Sequence, residues 1–386
     1  MTIMQGFPPA ETDRATLANW RTAPYSAWAF HHVREIVPSA NIANDPANVW
    51  ALEPGTSPIQ ALDFDAELAP VNNDALVILH KGRIVHESYR NGMGPNDPHI
   101  LMSVSKSMLG LLAGALVGSG ELDPDAPLTQ YLPELAQTGY AGATVHNALD
   151  MRVGLAFDED YTATDGPIID YRYAANWNPL PDGYRPHDLR SFQMLLTEQD
   201  SDHGGRFHYV SPVTDMLAWV LERASGQRYT DLMSDRILKP LGAEAPGYIT
   251  VDRIGGPRAA GGVCLTARDL ARVGQLVVQG GARDGKQIIP AAWLNDIATN
   301  GDDEAWRTGD FAEDFGDRQM NYRSKWYVET DGAPMLYGFG IHGQYLFVDP
   351  KRELSVAWFS SEPDPINPVW AECALRLMDK IRATVD

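Results

Sequence analysis

Two strand-like hairpins at opposite ends of the chain limit what it can fold into. Residues 75–79 (Ala-Leu-Val-Ile-Leu) and 83–89 (Arg-Ile-Val-His-Glu-Ser-Tyr) flank the turn His80-Lys81-Gly82. Apolar, β-branched runs around a Gly turn read as a β-hairpin. Residues 345–348 and 354–359 repeat the arrangement around Asp349-Pro350-Lys351-Arg352. Beyond them, Trp370, Leu375, Met378 and Ile381 recur at helical spacing, which predicts a C-terminal helix packed on the same sheet. Strand sequence at both ends with helical sequence between fits an α+β fold. One antiparallel sheet is assembled from the two termini, flanked by N- and C-terminal helices, with a helical domain inserted. The expected division is a discontinuous sheet domain, residues 1–100 and 255–386, around a mainly helical domain, residues 101–254. A small-molecule site belongs in the cleft between them.

The intervening sequence supplies the helices. Residues 108–117 are apolar nearly all round, as in a buried helix. Gly110, Gly114 and Gly118 recur there every four residues; the run is too short to cross a bilayer, so the spacing predicts close packing in a core. Residues 215–225 form a second apolar helix ending near Gly226, and Thr266-Ala267-Arg268-Asp269 starts a third over 270–278. Residues 1–70 read as helices and loops wrapping a core. Residues 298–333, polar and aromatic, read as long loops over a cleft.

Composition excludes several classes of partner. The chain has 31 Lys+Arg against 51 Asp+Glu, a net charge of −20, which repels nucleic acid and anionic lipid. The first 30 residues lack the basic end and apolar run of a secretory signal, and no apolar run is long enough for a membrane span. Two cysteines, Cys264 and Cys373, argue against a disulfide framework and fit a reducing compartment. Histidine and cysteine show no metal-ligand spacing. The expectation is a cytoplasmic protein with no metal or other cofactor, no nucleic-acid partner and no membrane partner.

The chemistry begins at Ser103-Val104-Ser105-Lys106, at the mouth of the first apolar helix. Residues three apart are neighbours across one helical turn, so a hydroxyl nucleophile and an amine base share a face. With 17 Ser and 7 Lys in 386 residues, chance alone supplies about 0.3 such pairs, so context decides. The alternative is a capping serine beside a solvated lysine. Burial of Lys106 against the apolar run would lower its pKa, and the helix N-terminus favours negative charge at Ser103. Tyr209, just before the second apolar helix, offers a phenol for proton relay, although a tyrosine at a helix edge is commonly packing. Residues 337–344 (Tyr-Gly-Phe-Gly-Ile-His-Gly-Gln) precede the late strand, and small residues there would let substrate approach the strand edge. A backbone N–H from that edge, with that of Ser103, would form an oxyanion hole. His342 could be read as a catalytic base, but Lys106 and Tyr209 already fill that role, which favours a histidine held structurally beside the cleft.

Ser103 to Lys106, Tyr209, residues 261–272 and the Gly-Phe-Gly-Ile-His-Gly-Gln run together resemble the class C β-lactamase-like serine hydrolases. Within that family they resemble the branch of carboxylesterases and linear amidases acting on 6-aminohexanoate oligomers. The resemblance runs from about Trp20 to the C-terminus and implies a β-lactamase/penicillin-binding-protein-like fold. It implies Ser103 as nucleophile, Lys106 as general base and Tyr209 as proton relay, with the N–H groups of Ser103 and Ile341 as oxyanion hole. It assigns Tyr161 and Trp326 to substrate binding, against a reading of both as loop packing. His342 is carried with them as a substrate-side candidate.

The chain also departs from that branch. Arg172 stands about where the amidase carries an acidic residue, Ala260 replaces a polar one, and Asp165 or Asp170 could supply the acid instead. Gly338-Phe339-Gly340 replaces the Lys-Thr-Gly of β-lactamases, removing the cation that holds a penicillin carboxylate. The expected activity is hydrolysis of short carboxylic esters, extending to linear amides. The competing readings are a penicillin-interactive β-lactamase or peptidase and a non-catalytic binding protein on the same fold. The expected partner is a small-molecule ester or amide; a homodimer is left open.

Overall fold

The computed structural model of the chain describes residues 3–386. Seven strands form the main sheet: β1 (Asn73–His80), β2 (Arg83–Tyr89), β3 (Met320–Arg323), β4 (Trp326–Glu329), β5 (Met335–Gly340), β6 (Gln344–Asp349) and β7 (Leu354–Ser360). Their order is β2-β1-β7-β6-β5-β4-β3, every neighbour antiparallel. The two hairpins therefore form as expected and join at the centre, with Ile78 opposite Val356 and Val77 opposite Ala357. All eight residues of β1 are buried. A strand covered on both faces has no polar alternation to show, which is why its sequence is a continuous apolar run.

Helices cover both faces. The longer ones are α1 (Val104–Gly118), α2 (Ser211–Ser225), α3 (Ala267–Val278) and α4 (Pro368–Thr384). α3 lies on the central strands: Ser355 Oγ donates to the Ala271 carbonyl at 2.9 Å, and a Cβ at Gly274 would stand 2.1 Å from Ser355 Oγ. α4 reaches the other face, where Arg382 pairs with Glu329 of β4 and Asp349 of β6. The glycines of α1 serve close packing, as their spacing predicts. A Cβ at Gly110 would stand 2.1 Å from the Ser324 carbonyl, one at Gly114 2.3 Å from the Trp293 indole, and one at Gly118 2.4 Å from Pro290.

Two features go beyond the sequence reading. Residues 298–333 are not all loop: they hold a short helix (Asp303–Arg307), the edge strand β3 and its neighbour β4. Four-residue strands are too short to display periodicity. Their turn places Ser324 and Lys325 at φ of 47° and 71°, without the Gly or Asn that usually marks such a turn. A second, four-stranded antiparallel sheet orders Ser39–Ile42, Gly247–Thr250, Val263–Leu265 and His99–Ile100. It continues into Leu101, whose N–H donates to the Val263 carbonyl at 2.8 Å. The segment entering α1 is thereby fixed beside the segment that carries Ala260. Among the described residues no helix is long and apolar enough to cross a membrane.

Candidate active site

Ser103 is the N-cap of α1, and the residue before it, Met102, has φ of 44°. That left-handed conformation costs a non-glycine residue about 1–3 kcal/mol and persists only where packing dictates it. Here Leu101 and Met102 are buried, so the sharp entry fixes where the Ser103 hydroxyl points. One turn on, Lys106 is 1% exposed, with Nζ 2.8 Å from Ser103 Oγ and donating to the Ala260 carbonyl at 2.8 Å. Burial penalises the ammonium form and pulls the Lys106 pKa down to about 7; Glu159 and Asp215 oppose the shift and Arg258 adds to it. About half of the molecules at neutral pH then carry a free amine whose lone pair can accept the Ser103 proton.

Tyr209 closes the triad. Its phenol faces the hydroxyls of Ser103 and Tyr327, and Lys106 Nζ sits 4.8 Å from its ring centroid. Burial first, then the charge of Glu159, raise its pKa, so it stays a neutral phenol able to pass a proton. Its backbone is pinned by Asp310, which accepts from the Tyr209 N–H at 2.8 Å.

β5 supplies the facing backbone. A Cβ at Gly340 would stand 2.8 Å from the Leu101 carbonyl and 2.9 Å from the Ser103 nitrogen; one at Gly338 would stand 2.9 Å from Val104. The glycines are small because the strand presses on the start of α1, rather than to admit substrate as the sequence suggested. Ser103 and Ile341 consequently line one pocket, and among the described residues neither amide N–H donates to a protein acceptor. Two free N–H groups beside a nucleophile are what an oxyanion hole requires.

A buried network supports the base. Asp215 of α2 accepts from the Ala260 N–H at 2.8 Å, from the Tyr171 hydroxyl at 2.6 Å and from Arg258 at 2.7 Å. The Ala260 peptide is thus held at its N–H by Asp215 and meets Lys106 with its carbonyl. Glu159 accepts from the Tyr161 hydroxyl at 2.8 Å and from the N–H and hydroxyl of Ser211 at the start of α2. Glu159 and Tyr161 line both the inner pocket at Ser103 and a larger outer cavity of about 870 Å³. Lys325, in the β3–β4 turn, is also fully buried; burial and then the charge of Lys106 hold its pKa well below the usual lysine range, and among the described residues its Nζ meets only Met151 Sδ, at 3.2 Å.

The structure brings Ser103, Lys106, Tyr209, Ile341 and Tyr161 together. It corrects three other expectations. Trp326 is fully buried and lines neither cavity; strand alternation turns it to the α1 face of the sheet, and its neighbour Tyr327 reaches Tyr209 instead. His342 also lines neither cavity: its ring packs on Phe30, Nδ1 bonds the Glu362 carbonyl at 2.8 Å, and burial lowers its pKa to about 4. It is a neutral structural histidine. Asp170 accepts from Tyr184 and Asp165 is exposed, so neither faces Ser103; the acid of the inner pocket is Glu159. Sequence reasoning missed Glu159, Arg258, Lys325 and the role of Asp215. Only Asp215 carries a signal, a carboxylate set inside the apolar run of residues 212–221, because buried acids occur with partners.

A sheet covered by helices, with Ser-x-x-Lys at a helix mouth facing a glycine-bearing strand, defines a penicillin-recognising serine-enzyme architecture. The Beta-lactamase family matches over residues 68–371, and the chain belongs to that family. It is 35% identical to 6-aminohexanoate-dimer hydrolase from Paenarthrobacter ureafaciens over 370 residues, 94% of this chain and 92% of that protein. It is 27% identical to Esterase EstB from Burkholderia gladioli over 233 residues, 52% of this chain and 56% of the esterase. A solved structure described as "Putative 6-aminohexanoate-dimer hydrolase from Bacillus anthracis" superposes with a TM-score of 0.86 at 24% identity, covering 97% of this chain and 98% of that one.

Proposed function

We propose that this protein hydrolyses short carboxylic esters, and linear amides of the ω-amino-acid type, through an acyl-enzyme on Ser103. The observation that carries the reading is the buried amine of Lys106, 2.8 Å from Ser103 Oγ, with its pKa near 7 and the Tyr209 phenol facing the same hydroxyl. Lys106 takes the Ser103 proton as Oγ attacks the carbonyl carbon. The N–H groups of Ser103 and Ile341 hold the oxyanion. Collapse breaks the ester or amide bond, and the leaving group receives its proton by way of Tyr209. Water then attacks the acyl carbon, and the same groups run in reverse to free Ser103 and the acid. Amide substrates enter the proposal through the 35% identity to the dimer hydrolase and through Tyr161, which lines the pocket with Ser103. A reducing, cytoplasmic location is supported by two buried, unpaired cysteines.

The test is Ser103→Ala. Turnover of p-nitrophenyl acetate and labelling by a fluorophosphonate probe should both vanish in the variant; retention of either would refute the assignment.

A further inference from the structure

The inner pocket is lined by three arginines, Arg21, Arg172 and Arg258, and by a single acid, Glu159. Two of these charges are already matched. Arg258 pairs with Asp215 at 2.7 Å, and Glu159 is taken up by the N–H and hydroxyl of Ser211 and by Tyr161. Arg21 and Arg172 are different. Among the described residues neither has a carboxylate within ion-pair distance, in a chain with a net charge of −20. Among the described residues Arg172 donates only to the carbonyls of Tyr161 and Ala163, and Arg21 only to the Asn178 amide oxygen. Arg21 Nε is buried without a hydrogen-bond partner among the described residues, and its guanidinium lies over the Trp20 and Trp177 rings at 5.5 and 5.6 Å.

Two half-buried guanidiniums with unused donors, sharing a pocket with a nucleophile, form a receptor for a planar anion. Burial, then the charges of Arg172 and Arg258, lower the Arg21 pKa to about 9, which leaves it cationic at neutral pH. The outer cavity has the opposite character, being lined by Asp158, Asp160, Asp200 and Asp364. An anion is therefore held better in the inner pocket than in the outer cavity.

We infer that the substrate carries a free carboxylate, which binds Arg21 and Arg172 while its ester or amide carbonyl lies at Ser103. The inference rests on the hydrolase reading above and adds the substrate's charge. It also reverses what an acidic residue at position 172 would select, a cationic amino end.

The experiment compares matched pairs of esters. p-Nitrophenyl hydrogen adipate against p-nitrophenyl hexanoate puts the carboxylate on the acyl side; 4-acetoxybenzoate against 4-acetoxybenzamide puts it on the leaving side. The ratio of kcat/KM within a pair cancels the fraction of active enzyme, so partly misfolded variants remain readable. In at least one pair the anionic member should be favoured fivefold or more. Arg172→Gln and Arg21→Gln should each cut that ratio at least threefold, and Arg172→Asp should cut it further. A preference below fivefold in both pairs, or a ratio unmoved in either glutamine variant, overturns the inference while leaving the hydrolase reading intact. Turnover of neither member above that of Ser103→Ala would instead overturn the hydrolase reading itself, and this inference with it.

Discussion

Replacing Lys106 with Met should make the protein inactive and, below neutral pH, more stable. The side chain is 1% exposed, and burial lowers its pKa from 10.5 to about 7. Each pKa unit corresponds to about 1.4 kcal/mol, so holding the ammonium in the fold costs about 5 kcal/mol wherever both folded and unfolded chains are protonated. The cost is fully present below pH 7. Between pH 7 and 10.5 the unfolded chain binds more protons than the folded one, so wild-type stability rises with pH across that window and the penalty is gone above it. Methionine removes the charge and fills similar volume, but leaves the Ala260 carbonyl without its donor, a loss of about 1–3 kcal/mol. The net expectation is a gain of roughly 2–4 kcal/mol at pH 6.5, shrinking and then reversing by pH 10. Urea unfolding of both proteins at pH 6.5, 8 and 9.5 reads the difference directly, because other titrating groups cancel. Ester turnover should fall by about 10²–10⁴, the usual loss of a general base. A stability difference that stays constant over this range would show that Lys106 is not a buried amine with a depressed pKa.

The remaining expectations follow from the same geometry. In the wild type, kcat/KM for a neutral ester should rise with pH to a plateau with its midpoint near 7, from roughly a tenth of the plateau at pH 6; a flat profile from pH 5.5 to 9 removes Lys106 as base. Gly340→Ala forces a methyl against the Leu101 carbonyl and Ser103 nitrogen, at 2.8 and 2.9 Å. It should lower kcat by about 10²–10³, as loss of one oxyanion donor does, with circular dichroism unchanged; activity within twofold of wild type would mean that the Ser103 and Ile341 amides are not the oxyanion donors. Asp215→Asn leaves the Arg258 guanidinium buried without its carboxylate and should cost about 3–5 kcal/mol in urea unfolding. A loss below about 1 kcal/mol would show the pair to be solvated.

What the sequence could disclose depended on whether a residue's role shows within its own segment. The hairpins were legible because strand and turn signals are local, and their union was legible only as the one way two distant hairpins share a sheet. The β3 and β4 strands were not, because four residues carry no measurable period and their turn uses Ser324 and Lys325 where glycine would have announced it. Ser103 and Lys106 were legible because a helix brings residues three apart together whatever the tertiary fold. Tyr209 and Ile341 needed a family pattern. Trp326 shows how narrow that margin is: in a strand, one position of shift exchanges the two faces, and the residue that reaches Tyr209 is Tyr327.

The supporting groups had no local signature because each does two jobs across the fold. Glu159 binds the N–H that opens α2 and also orients Tyr161, so the same carboxylate serves as a helix cap and as part of the pocket wall. Asp215 looks like an anomaly in an apolar helix until Arg258 and the Ala260 N–H, contributed from more than forty residues along the chain, converge on it. That convergence ties reactivity to stability. The Ala260 carbonyl that receives the Lys106 N–H belongs to a peptide whose N–H is held by Asp215, so loosening the Arg258–Asp215 pair frees the acceptor that orients the base. Disruption of this buried pair should therefore lower kcat as well as unfold the protein earlier, whereas substitution of a surface ion pair such as Arg307–Glu304 should do neither.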